Sequence, residues 1–176
     1  AAKTGIKPWL LEELTKECFM PLTIGGGIKT LEDIRTLLKL GADKISINTA
    51  GLENPEFISE AAEKFGNQCV VVSIDARKIN HHYEVFKSGG KASTGHKPEE
   101  WAKEAEKLGA GEILITSIDK DGGMNGYDLN LVKLVTEAVK IPVIACGGAG
   151  KPEDFFPSVK AGASALAAAS IFQYTQ

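Results

Sequence analysis

Two short runs carry the residues best suited to chemistry: Ile24-Gly25-Gly26-Gly27 and Cys146-Gly147-Gly148-Ala149-Gly150. A glycine without a Cβ lets the backbone come close to a ligand and turn its N–H groups toward it. A helix is predicted just after each run, and the free N–H groups and dipole of a helix start favour an anion. Asn48-Thr49 and Ala169-Ser170 each end an apolar run and offer a hydroxyl. One such turn is weak support, since glycines often only make turns. Two with the same accompaniment read as paired phosphate grips for a doubly phosphorylated small molecule.

Acidic groups lie between the grips. Asp75 falls in Ser73-Ile74-Asp75-Ala76-Arg77, and Asp119 and Asp121 in Thr116-Ser117-Ile118-Asp119-Lys120-Asp121-Gly122. At strand ends such carboxylates serve as general acid or base; a helix cap or a loop salt bridge is the competing use, strongest for Asp119. His81, His82 and His96 sit in a polar stretch that reads as an exposed hairpin. No spacing suggests a metal site, and no cofactor is expected.

Six apolar runs supply the elements that would position these groups: 21–24, 44–48, 69–75, 112–117, 142–146 and 165–169. They lack apolar/polar alternation, which favours parallel strands covered on both faces. Helices intervene. Leu31, Ile34, Leu37 and Leu38 form a stripe behind Thr30 as N-cap, with Gly41 at the end. Asn54-Pro55 opens the next helix, with Phe57, Ile58, Ala61, Ala62 and Phe65 as its inner face. Pro98 opens a helix closed by Gly109, and Asp128 caps one running to about Lys140. Pro157 predicts a kink or a late start in the last helix.

The sequence also repeats itself. Pro21, Gly26, Gly27, Glu32, Asp33, Gly41, Ala42 and Thr49 match Pro142, Gly147, Gly148, Glu153, Asp154, Gly162, Ala163 and Ser170, each at an offset of 121 residues. A constant offset points to a duplicated half-barrel, and two halves make about 240 residues, near the roughly 250 of an eight-stranded barrel. The expected fold is therefore α/β, a (β/α)8 TIM barrel with half-barrel duplication. It is read here as one domain over 1–176, truncated at both ends. About six of eight strands are expected, without strands 1 and 2 and the last helix. A start at Ala1 without Met and a stop at Gln176 soon after a strand agree with such cuts, and a chain so truncated is expected to be inactive alone. A flavodoxin-like open sheet would leave the duplication unexplained.

Composition narrows the partners. The chain has 176 residues, 43% apolar and 24% charged, with a net charge of −3, so no basic excess suits a nucleic acid or a membrane surface. Nothing approaches the roughly 20 apolar residues of a membrane span, and no signal peptide opens the chain. Cys18, Cys69 and Cys146 are scattered and odd in number, which suits buried thiols in a reducing cytoplasm.

The runs Gly25–Ile28, Ser46–Ala50, Val72–Arg77, Thr116–Gly122 and Gly147–Gly150 together resemble the cyclase subunit of imidazole glycerol phosphate synthase, and the match runs through essentially the whole chain. That family is a (β/α)8 barrel of histidine biosynthesis. The resemblance implies a lyase that combines ammonia with a phosphoribulosyl-formimino aminoimidazole carboxamide ribonucleotide. The substrate carries a phosphate at each end. By this likeness Asp75 is one of two essential acid/base aspartates, the other belonging to strand 1, and Asp121 assists. Gly27, Asn48 and Thr49 match one phosphate site; Gly148, Ala169 and Ser170 match the other. Lys44 and Glu112, at strand starts on the opposite mouth, match a salt-bridged gate admitting ammonia from a glutaminase docked on the N-terminal face. Ordinary solvation of a strand end is the alternative for both.

Some residues depart from that pattern. Cys146 stands where the family usually has serine, and Pro157 interrupts a helix. Thr4-Gly5-Ile6-Lys7-Pro8 and Cys18-Phe19-Met20-Pro21 look more like a paralogous branch working with amidotransferases on amidino-modified surface sugars. The sugar-phosphate isomerase of the histidine pathway shares the duplicated barrel and needs no ammonia. A non-catalytic barrel that activates a glutaminase is the reading from another class.

Overall fold

A computed structural model describes residues 8–174 of the chain, with side chains from Trp9 onward. The Thr4–Lys7 part of the opening run and the terminal Gln176 lie outside the described residues. In chain order the elements are α1 (Pro8–Glu17), β1 (Thr23–Gly25), α2 (Leu31–Lys39), β2 (Lys44–Ile47), α3 (Thr49–Glu53), α4 (Glu56–Phe65) and β3 (Val70–Ile79). They continue with β4 (His82–Lys87), β5 (Ala92–Ser93), α5 (Pro98–Lys107), β6 (Glu112–Ser117), α6 (Leu129–Thr136), β7 (Val143–Cys146), α7 (Phe155–Lys160), β8 (Ala165–Ala167) and α8 (Ser170–Gln173).

Six strands form one parallel, curled sheet in the order β1-β2-β3-β6-β7-β8, and helices connect them. This is an incomplete (β/α)8 barrel, with the six strands the apolar runs predicted. β4 and β5 add an antiparallel hairpin on an extension of β3, which runs four residues beyond the expected end at Asp75.

Side-chain parity divides the sheet. Ile45, Ile47, Val70, Val72, Ile74, Ile113, Ile115 and Val143 point outward and form one buried cluster with Ile34, Phe57, Ile58, Ala61, Trp101, Ala105, Leu131 and Val135 of the helices. Truncating Trp101 to alanine in that cluster would cost about 3–5 kcal/mol. The other parity lines the concave wall: Lys44 and Ser46 on β2, Ser73 and Asp75 on β3, Glu112 and Thr116 on β6, Cys146 on β7. These side chains are half-buried, so the strands do alternate, though between two kinds of burial.

Hydrogen bonds repeat the duplication. Asp43 N–H donates to Leu22 O as Ser164 N–H does to Val143 O, and Ala42 to Leu37 as Ala163 to Ser158. A Cβ on Gly41 would lie 2.7 Å from Thr15 Cγ2, and one on Gly162 2.6 Å from Thr136 Oγ1. Those threonines are themselves 121 apart, which carries the repeat back into α1 and α6.

Local departures have local causes. Asp33 Oδ2 accepts from the backbone N–H of Lys29 and Thr30, while Thr30 Oγ1 accepts from Asp33 N–H, a full capping box. Asp154 Oδ2 repeats the first half on Gly150 and Lys151. Lys151 has no side-chain acceptor, and a 3₁₀ turn over Pro152–Asp154 takes the place of the first helical turn. α7 therefore starts late, with Pro157 in its first turn, where a missing N–H costs little. The helix capped by Asp128 stops at Thr136 rather than near Lys140. The one predicted after Asn54-Pro55 is preceded by a separate short turn, α3, that begins at Thr49 itself.

Candidate functional site

The C-terminal ends of the parallel strands gather the predicted residues. Gly26 and Gly27 have φ of +95° and +75°, Gly147 and Gly148 +89° and +110°, a backbone that residues with a Cβ rarely adopt. The first pair opens on a cleft of about 840 Å³ lined by Gly25–Lys29, Asn48, Thr49, Ser73 and Asp75. The second borders a smaller hollow of about 140 Å³ with Asp121, Cys146, Ala169 and Ser170. Thr49 opens α3 as Ser170 opens α8, so each turn faces a hydroxyl at the start of a short helix.

Asp75 sits on the concave wall, level with Thr116 and Cys146 in strand register. Asn48 Nδ2 donates to Asp75 Oδ2 at 3.0 Å, so the side chain placed by likeness in a phosphate site also holds the carboxylate. Burial pushes the Asp75 carboxyl up from the usual carboxylate range; the Asn48 bond opposes this and the charge of Asp121 adds to it. A carboxyl raised in this way, in a cleft, is suited to carry a proton in a reaction. Burial also pushes the Cys146 thiol up, which makes it a poor thiolate.

At the other mouth, Lys44 Nζ pairs with Glu112 Oε1 across β3, with side chains 32% and 21% exposed. Asp119 serves the loop instead: its oxygens take Arg77 Nε at 3.3 Å and Lys78 N–H at 2.9 Å. The hairpin read as exposed buries Val85 and Phe86, while His81 and His82 stay outside. His82 bonds Glu84, and His96 packs on Trp101 with ring centroids 5.9 Å apart. Among the described residues no group of three or more His, Cys, Asp or Glu is placed to hold a metal ion. None of their helices is long and apolar enough to cross a membrane.

Sequence reasoning missed Lys29, Glu53, Ser88 and Gly89, which line the first cleft. The Gly89-Gly90 pair signals a turn, but nothing local says which cleft that turn will meet.

Comparison with known proteins gives these features a relative. The chain is 53% identical over 169 residues to the imidazole glycerol phosphate synthase subunit HisF of Hyphomonas neptunium (strain ATCC 15444), covering 94% of this chain and 67% of that protein. A family model described as histidine biosynthesis protein matches residues 1–176. Matched over its whole length by that model, and built as a duplicated barrel with paired glycine turns, the chain belongs to the histidine biosynthesis protein family.

Proposed function

We propose that this chain acts as the cyclase barrel of an imidazole glycerol phosphate synthase, a lyase of histidine biosynthesis. The carrying observation is the Asp75 carboxyl, held by Asn48 and raised by burial, on the wall between two repeat-related glycine turns. Each turn with its neighbouring helix start would hold one phosphate of the two-ended substrate: Gly27, Asn48 and Thr49 at one end, Gly148, Ala169 and Ser170 at the other. The span between them lies over Asp75. There the carboxyl would take a proton from the adding nitrogen and return one to the group that leaves, with Asp121 keeping its proton affinity high.

The nitrogen source is ammonia delivered by a glutaminase seated on the N-terminal face. Supporting this are the name of the Hyphomonas relative, which calls it a subunit, and the Lys44–Glu112 pair at that mouth. A pathway of this kind belongs in the cytoplasm. Substitution of Asp75 by asparagine in the enzyme should abolish ammonia-dependent turnover while leaving substrate binding intact. Near-normal turnover by that variant, assayed with ammonium salt, would rule the assignment out.

A further inference from the structure

The two grips are alike in backbone and unlike in what surrounds them. The first is flanked by the turn between β4 and β5, where Ser88, Gly89 and Gly90 have φ of +57°, +68° and +76°. Lys91 N–H closes this left-handed turn on Lys87 O at 3.1 Å. The turn lays two contacts on α3. Ser88 N–H donates to Thr49 Oγ1 at 3.1 Å, and Lys87 Nζ pairs with Glu53 Oε1 at 2.8 Å.

Each contact changes what the grip can do. A hydroxyl oxygen that accepts an N–H still has its own proton to give, so the Ser88 bond leaves Thr49 as a donor, the role an anion requires. Glu53 lines the cleft, and an uncompensated carboxylate there would repel a phosphate. Lys87 compensates it and holds it below its usual range, with Lys29 adding to the effect. Lys29 also lines the cleft and forms no ion pair among the described residues, so it supplies a net positive charge. The acidic groups at the two helix starts cancel in the comparison, since Asp33 and Asp154 are spent on equivalent backbone N–H groups. Among the described residues the second grip has a different lining. Asp121 is its lining charge, and Tyr174 stands at the repeat position of Glu53. Lys120 lies against Gly148 and keeps its charge, its ammonium donating to the neutral amide of Asn125.

We infer that the β4–β5 turn is an accessory phosphate-binding element of the first grip, keeping Thr49 a donor and compensating Glu53. This rests on the reading of both turns as phosphate sites. The test is a titration of the ¹⁵N-labelled protein with inorganic phosphate. Amide shifts of Gly26 and Gly27 report the first grip, those of Gly147 and Gly148 the second. Lys87→Met, which leaves Glu53 uncompensated, should weaken the first site about three- to tenfold, the effect of one surface charge on a dianion through water. The second site should not change. Adding Glu53→Gln to that variant should restore the first site, which a merely structural role for Lys87 would not produce. The loss should also shrink as salt rises. An unaffected first site in Lys87→Met would overturn the inference, as would a double variant that fails to recover. Silence at both pairs of glycines would refute the phosphate reading itself, a result distinct from any of these.

Discussion

Replacing Asn48 by alanine isolates one bond at the centre of the site. Nδ2 donates to Asp75 Oδ2, while Oδ1 is buried without a partner. Truncation therefore removes one satisfied bond and one orphaned acceptor together. A hydrogen bond to an ionised carboxylate contributes about 1.5–3 kcal/mol, and an orphaned polar atom costs about 1–3 kcal/mol. Part of the loss is offset, and the variant should be about 1 kcal/mol less stable at neutral pH. The pH dependence follows from the sign of the shift. Burial already raises the folded-state pKa of Asp75 above the usual carboxylate range, and loss of the Asn48 bond raises it further. A raised carboxyl contributes stability that is full below the unfolded pKa and is lost as pH climbs through the folded one. The penalty of Asn48→Ala should thus be largest above the folded pKa of Asp75 and near zero at acid pH, where the carboxyl is protonated in both states. Urea unfolding of parent and variant across the acid-to-neutral range measures this, alongside NMR titration of the Asp75 side-chain carbon. A penalty that does not vary with pH, or an Asp75 that titrates at lower pH in the variant, would refute the reasoning.

Two further substitutions probe the frame. Thr30→Ala removes a cap acceptor and should cost about 1 kcal/mol in thermal or urea unfolding, whereas Lys151→Ala at the repeat position should cost almost nothing, because lysine accepts no bond there. Lys44→Met leaves the half-buried Glu112 without its partner and should destabilise by about 1 kcal/mol or more; Lys44→Met with Glu112→Leu should recover most of that, a coupling read from a double-mutant cycle.

The parts of this fold legible in the sequence were those written twice. Six parallel strands, the glycine turns and the hydroxyls after them follow from apolar runs and one constant offset. The same offset links Thr15 with Thr136, a pair visible only once Gly41 and Gly162 are seen packed against them. Helix limits were less legible. α6 ends at Thr136 although its apolar pattern continues, because Val139 and Ile141 pack on the core from the connecting segment instead. The polar composition of the hairpin suggests solvent exposure, yet Val85 joins the core cluster and Phe86, on the opposite face of the strand, is buried under Arg77.

What no local pattern carried was the pairing of groups far apart in sequence. Asn48 and Asp75 are each predictable as strand-end residues, but only the parallel register of β2 on β3 brings the amide to the carboxylate. The same holds for Lys87 and Glu53, joined by a turn whose direction depends on three consecutive positive φ angles. Duplication supplied two equal backbones with different linings: Lys29 and Glu53 stand where the repeat has Gly150 and Tyr174. Lys87, carried on the β4–β5 turn, then fixes what charge the first lining presents to an anion.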